Sequence, residues 1–250
     1  MIGQYSYPAQ FYDALQSDVD YGAYCEFAIE MCGRFGFEPT TALDLACGTG
    51  AIALEMAKRG LDVTAVDMSD EMLCAAREKI AETEYDILLL CQDMRELDLN
   101  DTVDMAVCAL DSMNYLPDTK SLKAALEKVR LFLTPGGVFV FDMNTRYKFE
   151  NIYGDRDYVL EVEGLLCAWQ NHFDRKRGVC DFVLTFFEEQ EDGSYERYDE
   201  CQRERCYSEK TVRRLAQEAG LEICGEYSDF DGSSVGEKTE RVYYVLRKPN

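Results

Sequence analysis

The stretch that most constrains this chain is "TALDLACGTGAIALEMAKRG", residues 41 to 60: a short apolar run, two glycines one residue apart, then a helical pattern. It satisfies G-x-G-x-x-A between a predicted strand and a predicted helix, the context that gives the pattern meaning. Gly48 and Gly50 allow a sharp turn and let the backbone approach a ligand with no β-carbon in the way. The helix that starts there offers unpaired N–H groups. Asp67, closing the next apolar run "DVTAVD", stands where the two hydroxyls of a ribose would lie. Taken singly, each of these is a turn glycine or a solvated loop aspartate. In this order they predict a nucleoside site.

The rest of the chain keeps the same rhythm. Amphipathic stretches near 8–16 and 19–36 precede the glycine segment, and a helix from about 51 to 59 follows it. A helix N-capped by Ser69 comes next, then strands in "DILLL", "VDMAVCAL" and "GGVFVFDM", with a helix from Lys120 to Leu133 that stops at "TPGG". Each strand has a crossover, which predicts a parallel, buried sheet. "EICGEYSDF" and "RVYYVLRK" are too close for a crossover helix and should pair antiparallel at the sheet edge. Residues from about 150 to 206 read instead as strands joined by turns such as "RKRG" and "EDGS", an inserted antiparallel sheet. Cys180, Phe182, Leu184 and Phe186 form one alternation class there, an apolar face, while "YERYDECQRERC" is mostly polar on both faces. The expected architecture is α/β, a Rossmann-like, mostly parallel seven-stranded sheet with helices on both faces and an antiparallel last strand. Its core would be 1–149 and 207–250, with 150–206 as a lid over the site or a contact between copies in a homo-oligomer.

Composition narrows the function. With 26 Lys and Arg against 48 Asp and Glu, the net charge of −22 repels phosphate-rich partners, so nucleic acid is disfavoured. No apolar run approaches a membrane span, and "MIGQYSYPAQFYD" lacks the basic and apolar regions of an export signal. The 11 cysteines are odd in number and scattered, as free thiols in a reducing cytoplasm would be. Cys201 and Cys206 do not have metal-ligand spacing, and His172 is the only histidine, so no metal site is expected.

Two reactions use this nucleoside architecture: hydride transfer with NAD, and methyl transfer. Asp44 bears on the choice, because an acidic residue just ahead of the turn is awkward beside a pyrophosphate but suits the ammonium of a methionyl group. At these residues the chain resembles the class I S-adenosylmethionine-dependent methyltransferases. "LDLACGTG" looks like the first family motif, which implies Asp44, Ala46, Cys47, Gly48 and Gly50 beside the methionyl group. "VTAVDMS" looks like the second, with Asp67 on the ribose and Met68 and Met72 against the adenine. "CQDMREL" resembles the adenine loop, with Gln92, Asp93 and Met94; "CALDSMNYL", with Leu110, resembles the segment facing the methyl group. The opening "FYDALQSDVDYGAY" is similar to a bacterial small-molecule subgroup whose N-terminal helices fold over the cofactor, which implies contacts from Tyr12 and Tyr21. That subgroup carries an antiparallel insertion before the penultimate helix.

The resemblance implies S-adenosylmethionine as cofactor and a small-molecule acceptor with a nitrogen or oxygen nucleophile. The chain departs from the subgroup in having Gln202, not histidine, shortly before "RCYS", and it lacks the N-P-P-Y loop of many DNA and protein amide methyltransferases. Asp111, Asn114 and His172 are candidate proton acceptors by position or chemistry. His172 is as readily a surface strand residue and Asn114 a turn cap. Arg205 would bind an anionic substrate group or pair at the surface with Glu200, Glu204 and Glu209. The alternatives are an NAD-linked oxidoreductase and a catalytically inactive protein that senses S-adenosylmethionine.

Overall fold

A computed structural model of the chain describes residues 10–16, 18–162 and 164–250. The expected first helix is α1 (Gln10–Leu15); positions 8 and 9 lie outside the described residues. Then follow α2 (Tyr21–Arg34), β1 (Thr41–Leu45), α3 (Ala51–Lys58), β2 (Asp62–Asp67), α4 (Asp70–Ala81), β3 (Ile87–Cys91) and β4 (Val103–Cys108). After a 3-10 turn, Ser112–Tyr115, come α5 (Thr119–Phe132), β5 (Leu133–Asn144) and α6 (Arg146–Lys148), which runs into a π-helical turn, Phe149–Tyr153. The chain then forms β6 (Asp157–Val162), β7 (Leu165–Asp174), β8 (Val179–Glu189) and β9 (Tyr195–Arg205), and closes with α7 (Glu209–Glu218), β10 (Glu222–Tyr227) and β11 (Arg241–Arg247).

Of the helices longer than one turn, four begin on a short polar side chain that accepts an otherwise unpaired backbone N–H. Asp20 caps α2, Ser69 caps α4, Asp118 caps α5 and Ser208 caps α7. The seven-stranded sheet has the order β10-β11-β5-β4-β1-β2-β3, parallel except for β11, which runs antiparallel to both neighbours. Side chains alternate across it: Leu43, Leu45, Phe139 and Phe141 pack on the α5 and α7 side, and Ala42, Ala65, Met105 and Val140 on the α2 and α3 side. The order reverses between β1 and β4. At such a switch point, loops leaving the carboxyl ends of neighbouring strands go to opposite faces and open a crevice.

One boundary differs from expectation. No separate turn follows α5; β5 begins at Leu133, and "TPGG" is a bulge where pairing with β4 shifts between Val103/Leu133 and Met105/Val138. A β-carbon on Gly137 would lie 2.9 Å from the Thr134 carbonyl and 3.0 Å from the Asp104 carbonyl, so only glycine fits.

β6 to β9 form a separate antiparallel sheet in sequential order. Its inner face carries Cys180, Phe182, Leu184 and Phe186, all buried within this one chain. The register sets Cys180 opposite Glu204, Phe182 opposite Gln202 and Leu184 opposite Glu200. β9 is therefore not polar on two solvated faces: Glu200 and Glu204 are each only 2% exposed. Among the described residues no helix is long and apolar enough to cross a membrane, and none of the cysteines is in a disulfide.

Candidate active site

The crevice at the carboxyl ends of β1, β2 and β4 opens into a cavity of about 1130 Å³ that continues under the inner face of the β6–β9 sheet. At one end lies the glycine turn. Gly48 and Gly50 are left-handed, at φ 53° and 79°. A β-carbon on Gly48 would meet nothing within 4 Å, whereas one on Gly50 would come 3.3 Å from the Ala76 β-carbon. Gly48 thus presents its backbone to the cavity, and Gly50 lets α3 pack on α4. Asp67 is fixed in place by two backbone N–H groups: Gly48 donates to its Oδ2 at 2.8 Å and Ser69 to its Oδ1 at 2.9 Å. Asp44 is 1% exposed, and its Oδ2 has no hydrogen-bond partner among the described residues. Burial raises its pKa to about 7, against a hydrogen bond from the Ala53 N–H and with help from Asp67. An orphaned buried carboxylate oxygen beside an open backbone cradle fits a ligand that carries an ammonium group.

Ala46, Cys47, Met68, Met72, Gln92, Met94 and Leu110 also line the cavity, as do Tyr12 and Tyr21 from the N-terminal helices; Gly50 does not. Met68, 63% exposed, forms part of the rim. Gln92 exchanges amide hydrogen bonds with the Asp98 backbone, and Asp93 also lines the cavity but is gripped by Arg95, which holds its carboxyl below the usual range. The Asp13 carboxylate ties α1 to the glycine turn, accepting from Thr49 Oγ1 at 2.6 Å and Lys79 Nζ at 2.5 Å.

At the other end, the chain leaves β4 through Leu110 and Asp111, both left-handed at φ 53° and 54°. Such geometry costs a residue with a β-carbon about 1–2 kcal/mol. Asp142 offsets it by accepting both their backbone N–H groups at 2.8 Å, while Tyr24 donates to it at 2.9 Å. Arg241 bridges Asp142 and Asp111, its Nη2 lying 2.6 Å from Asp111 Oδ1. Asp111 is in hydrogen-bond contact with Glu204, whose Oε2 also accepts from Asn144 Nδ2 at 2.9 Å; Lys148 Nζ in turn donates to Asn144 Oδ1 at 3.0 Å. Burial, then Asp111, push the Glu204 carboxyl well above its ordinary range. Burial pushes Asp111 up as well, but Arg241 and Lys148 outweigh it and hold that group below its own range.

Of the four candidate proton or substrate residues, Asn114 and Arg205 make other contacts, and His172 is the surface strand residue that the sequence also offers. Asn114 is fully buried and outside the cavity lining, donating to the Arg205 carbonyl at 2.9 Å and accepting from the Asn144 N–H at 3.0 Å, which ties β9 to β5. His172 also lies outside the lining, on the exposed face of β7, with its Nδ1 3.1 Å from Asp155. Arg205 borders the cavity, but its guanidinium donates to the Pro117 and Arg177 carbonyls and forms no ion pair with Glu200, Glu204 or Glu209. Only Asp111 combines cavity exposure with a buried charge network. Glu204, Lys148 and Arg241 were not expected there; no local spacing joins them, and only the meeting of α6, β9 and β11 does.

Residues 42–137 match a family model described as a methyltransferase domain. A curated relative from Geobacillus sp. (strain WCH70), assigned to the methyltransferases with no named substrate, is 30% identical over 241 residues, covering 96% of this chain and 98% of its own. The crystal structure of an S-adenosylmethionine-dependent methyltransferase from Clostridium acetobutylicum ATCC 824 superposes with a TM-score of 0.89 at 32% identity, covering 97% of this chain and 98% of that one. The sugar N-methyltransferase KedS8 from Streptoalloteichus sp. ATCC 53650 shares the fold, with a TM-score of 0.78 at 22% identity over 96% and 92% of the two chains.

Proposed function

This chain belongs to the S-adenosylmethionine-dependent methyltransferases, and from that premise we propose that it methylates a small-molecule acceptor held between its two sheets. The observation that carries the proposal is the single continuous cavity joining the glycine turn to the inner face of the β6–β9 sheet. Membership sets aside the NAD-linked alternative. The fold shared with KedS8, a sugar N-methyltransferase, supports a small acceptor. We take 150–206 as the acceptor wall of a core made of 1–149 and 207–250; its apolar face is covered within the chain and so is not offered to a second copy. We place the protein in the cytoplasm, the reducing setting that its 11 scattered cysteines suit.

When bound, S-adenosylmethionine supplies an electrophilic methyl group on a sulfonium. We assign Asp44 to its ammonium, the Gly48 backbone to its methionyl tail and Asp67 to its ribose hydroxyls. Met68, Met72 and Met94 would flank the adenine, while Tyr21 from α2 and Tyr12 from α1 would contact the cofactor, Tyr12 from the side of Gln202 and the acceptor end. The protein's part in the reaction is alignment and exclusion of water, since an in-line displacement gains several kcal/mol from a fixed approach alone. Trp169, Phe182, Leu184 and Phe186 supply the dry wall.

The test is to incubate the protein with methyl-labelled S-adenosylmethionine and a fractionated cell extract and to identify the labelled product. A labelled small molecule is expected; label appearing only in protein or nucleic acid overturns the small-acceptor reading. Calorimetry should also show S-adenosylmethionine and S-adenosylhomocysteine binding, with NAD far weaker.

A further inference from the structure

The charges at the acceptor end of the cavity do not balance. Three carboxyl groups, Asp111, Asp142 and Glu204, meet two cations, Arg241 and Lys148. Arg241 is used by Asp142 and Asp111, while Lys148 acts on Asp111 and Glu204 by charge and is bonded to Glu204 by way of Asn144. Apart from Glu200, the other titratable groups facing the cluster carry no charge: burial drives the Tyr12, Tyr24, Tyr153 and Tyr243 phenols and the Cys108 and Cys180 thiols upward. Glu200, two residues before Gln202 on the same face, is bonded by the Gln202 amide. Two carboxyls in hydrogen-bond contact must share a proton, and that proton supplies the positive charge the two cations leave unmatched.

We propose that Asp111 and Glu204 form the receptor for the acceptor's nitrogen, and that the acceptor is an amine with a flat apolar body. The inference rests on the reading of this cavity as the site of methyl transfer. An arriving ammonium is the third cation the cluster lacks. The adjoining wall suits the rest of such a molecule: the Phe182 ring lies 5.1 Å from Tyr153 and 5.9 Å from Trp169, and aromatic faces attract cations. Two buried polar atoms on the cavity residues lack partners among the described residues, Asp44 Oδ2 at the cofactor end and Trp169 Nε1 on this wall, so the cavity is built around ligands at both ends.

As R–NH3+ binds, the proton shared by Asp111 and Glu204 leaves to water. One N–H bond of the ammonium then breaks; the proton forms an O–H bond on Glu204, and the electron pair stays on nitrogen. That pair forms the new N–C bond as the donor's S–C bond breaks and leaves its own pair on sulfur. The product is a methylammonium and a thioether, and one proton per ammonium has gone to solvent before the transfer.

The experiment is calorimetry on protein saturated with S-adenosylhomocysteine, titrated with benzylammonium chloride and separately with benzyl alcohol, in two buffers of different ionisation heat near neutral pH. The amine should bind about tenfold or more tighter than the alcohol and release about one proton. Glu204→Gln should keep wild-type affinity for S-adenosylhomocysteine, bind the amine about tenfold more weakly and release no proton. Asp111→Asn is the second variant, expected to behave alike. Amine and alcohol binding equally well to wild type, no amine binding, or unchanged proton release in a folded variant overturns the proposal. Failure of S-adenosylhomocysteine to bind at the outset would instead overturn the cofactor reading.

Discussion

Asp44 is the residue whose chemistry the pH of the medium reaches most directly. Its carboxyl is raised to about 7, chiefly by burial, so near neutral pH it is part protonated, while a ligand ammonium requires the ionised form. Affinity for S-adenosylmethionine should therefore rise between about pH 6 and 8, by up to about tenfold per unit below the midpoint, and Asp44→Asn should flatten the profile; titration calorimetry across that range checks it. The sign for stability is opposite. A folded-state pKa above the unfolded value gives stability that is complete below about pH 4, the unfolded carboxyl's range, and is lost as pH rises from there through about 7, so the ligand-free melting temperature should fall between about pH 4 and 7 and level off above, and less in Asp44→Asn. Asp67 makes a second case. Because it holds the Gly48 and Ser69 N–H groups as well as the proposed ribose, Asp67→Ala should weaken binding about tenfold or more and lower the melting temperature by a few degrees, the cost of about 1–2 kcal/mol for two lost hydrogen bonds. Both residues were legible in the sequence because the strand, turn and helix that position them are consecutive. Glu204 was not: it lies in a strand whose sequence is mostly polar, and its partner Asn144 is 60 residues upstream. The partners of Arg205 were hidden for the same reason, since they are backbone carbonyls, which composition does not reveal.

Among the elements, α1 stands out because a few polar contacts attach it to the glycine turn. Asp13 bonds to Thr49 within the turn and to Lys79 on α4, while its neighbours Tyr12 and Leu15 line the cavity. The Asp13 and Lys79 side chains are 39% and 31% exposed, so the pair is partly screened and contributes about 1 kcal/mol or less. That is enough to set a rate. Lys79→Met should speed S-adenosylmethionine dissociation a few-fold (order of magnitude from) with little change in melting temperature, measured by stopped-flow displacement with S-adenosylhomocysteine; an unchanged off-rate would mean that α1 does not gate exit. The elements themselves were legible to a large extent. Apolar runs with helical crossovers fix a parallel sheet, and period-two alternation fixes the inserted one. What escaped were features set by tertiary crowding: the bulge at "TPGG", imposed by the carbonyls of Thr134 and Asp104, and the burial of Glu200, Gln202 and Glu204 opposite an apolar strand.

At the scale of the whole molecule, the charge of −22 and the proposed ligands bear on each other. S-Adenosylmethionine carries a sulfonium, an ammonium and a carboxylate, for a net charge of about +1 at neutral pH, whereas its demethylated product is net neutral. A negatively charged protein whose cavity holds Asp44 at one end and the Asp111–Glu204 pair at the other draws the cationic form inward and leaves the neutral product unsteered. The same field favours release after transfer, because the reaction removes the charge on which the attraction acts. Salt separates this long-range effect from the short-range contacts, which the two ligands share apart from the methyl group. Raising ionic strength from about 0.02 to 0.5 M shortens the Debye length from roughly 20 Å to about 4 Å. The association rate of S-adenosylmethionine should then fall several-fold (order of magnitude from), while that of S-adenosylhomocysteine stays nearly constant. Trp169, the only tryptophan, lies in the cavity wall and gives the stopped-flow signal. Equal salt dependence for the two ligands would show that the protein's net charge does not steer the methyl donor, and that discrimination between substrate and product rests on the contacts at the sulfur alone.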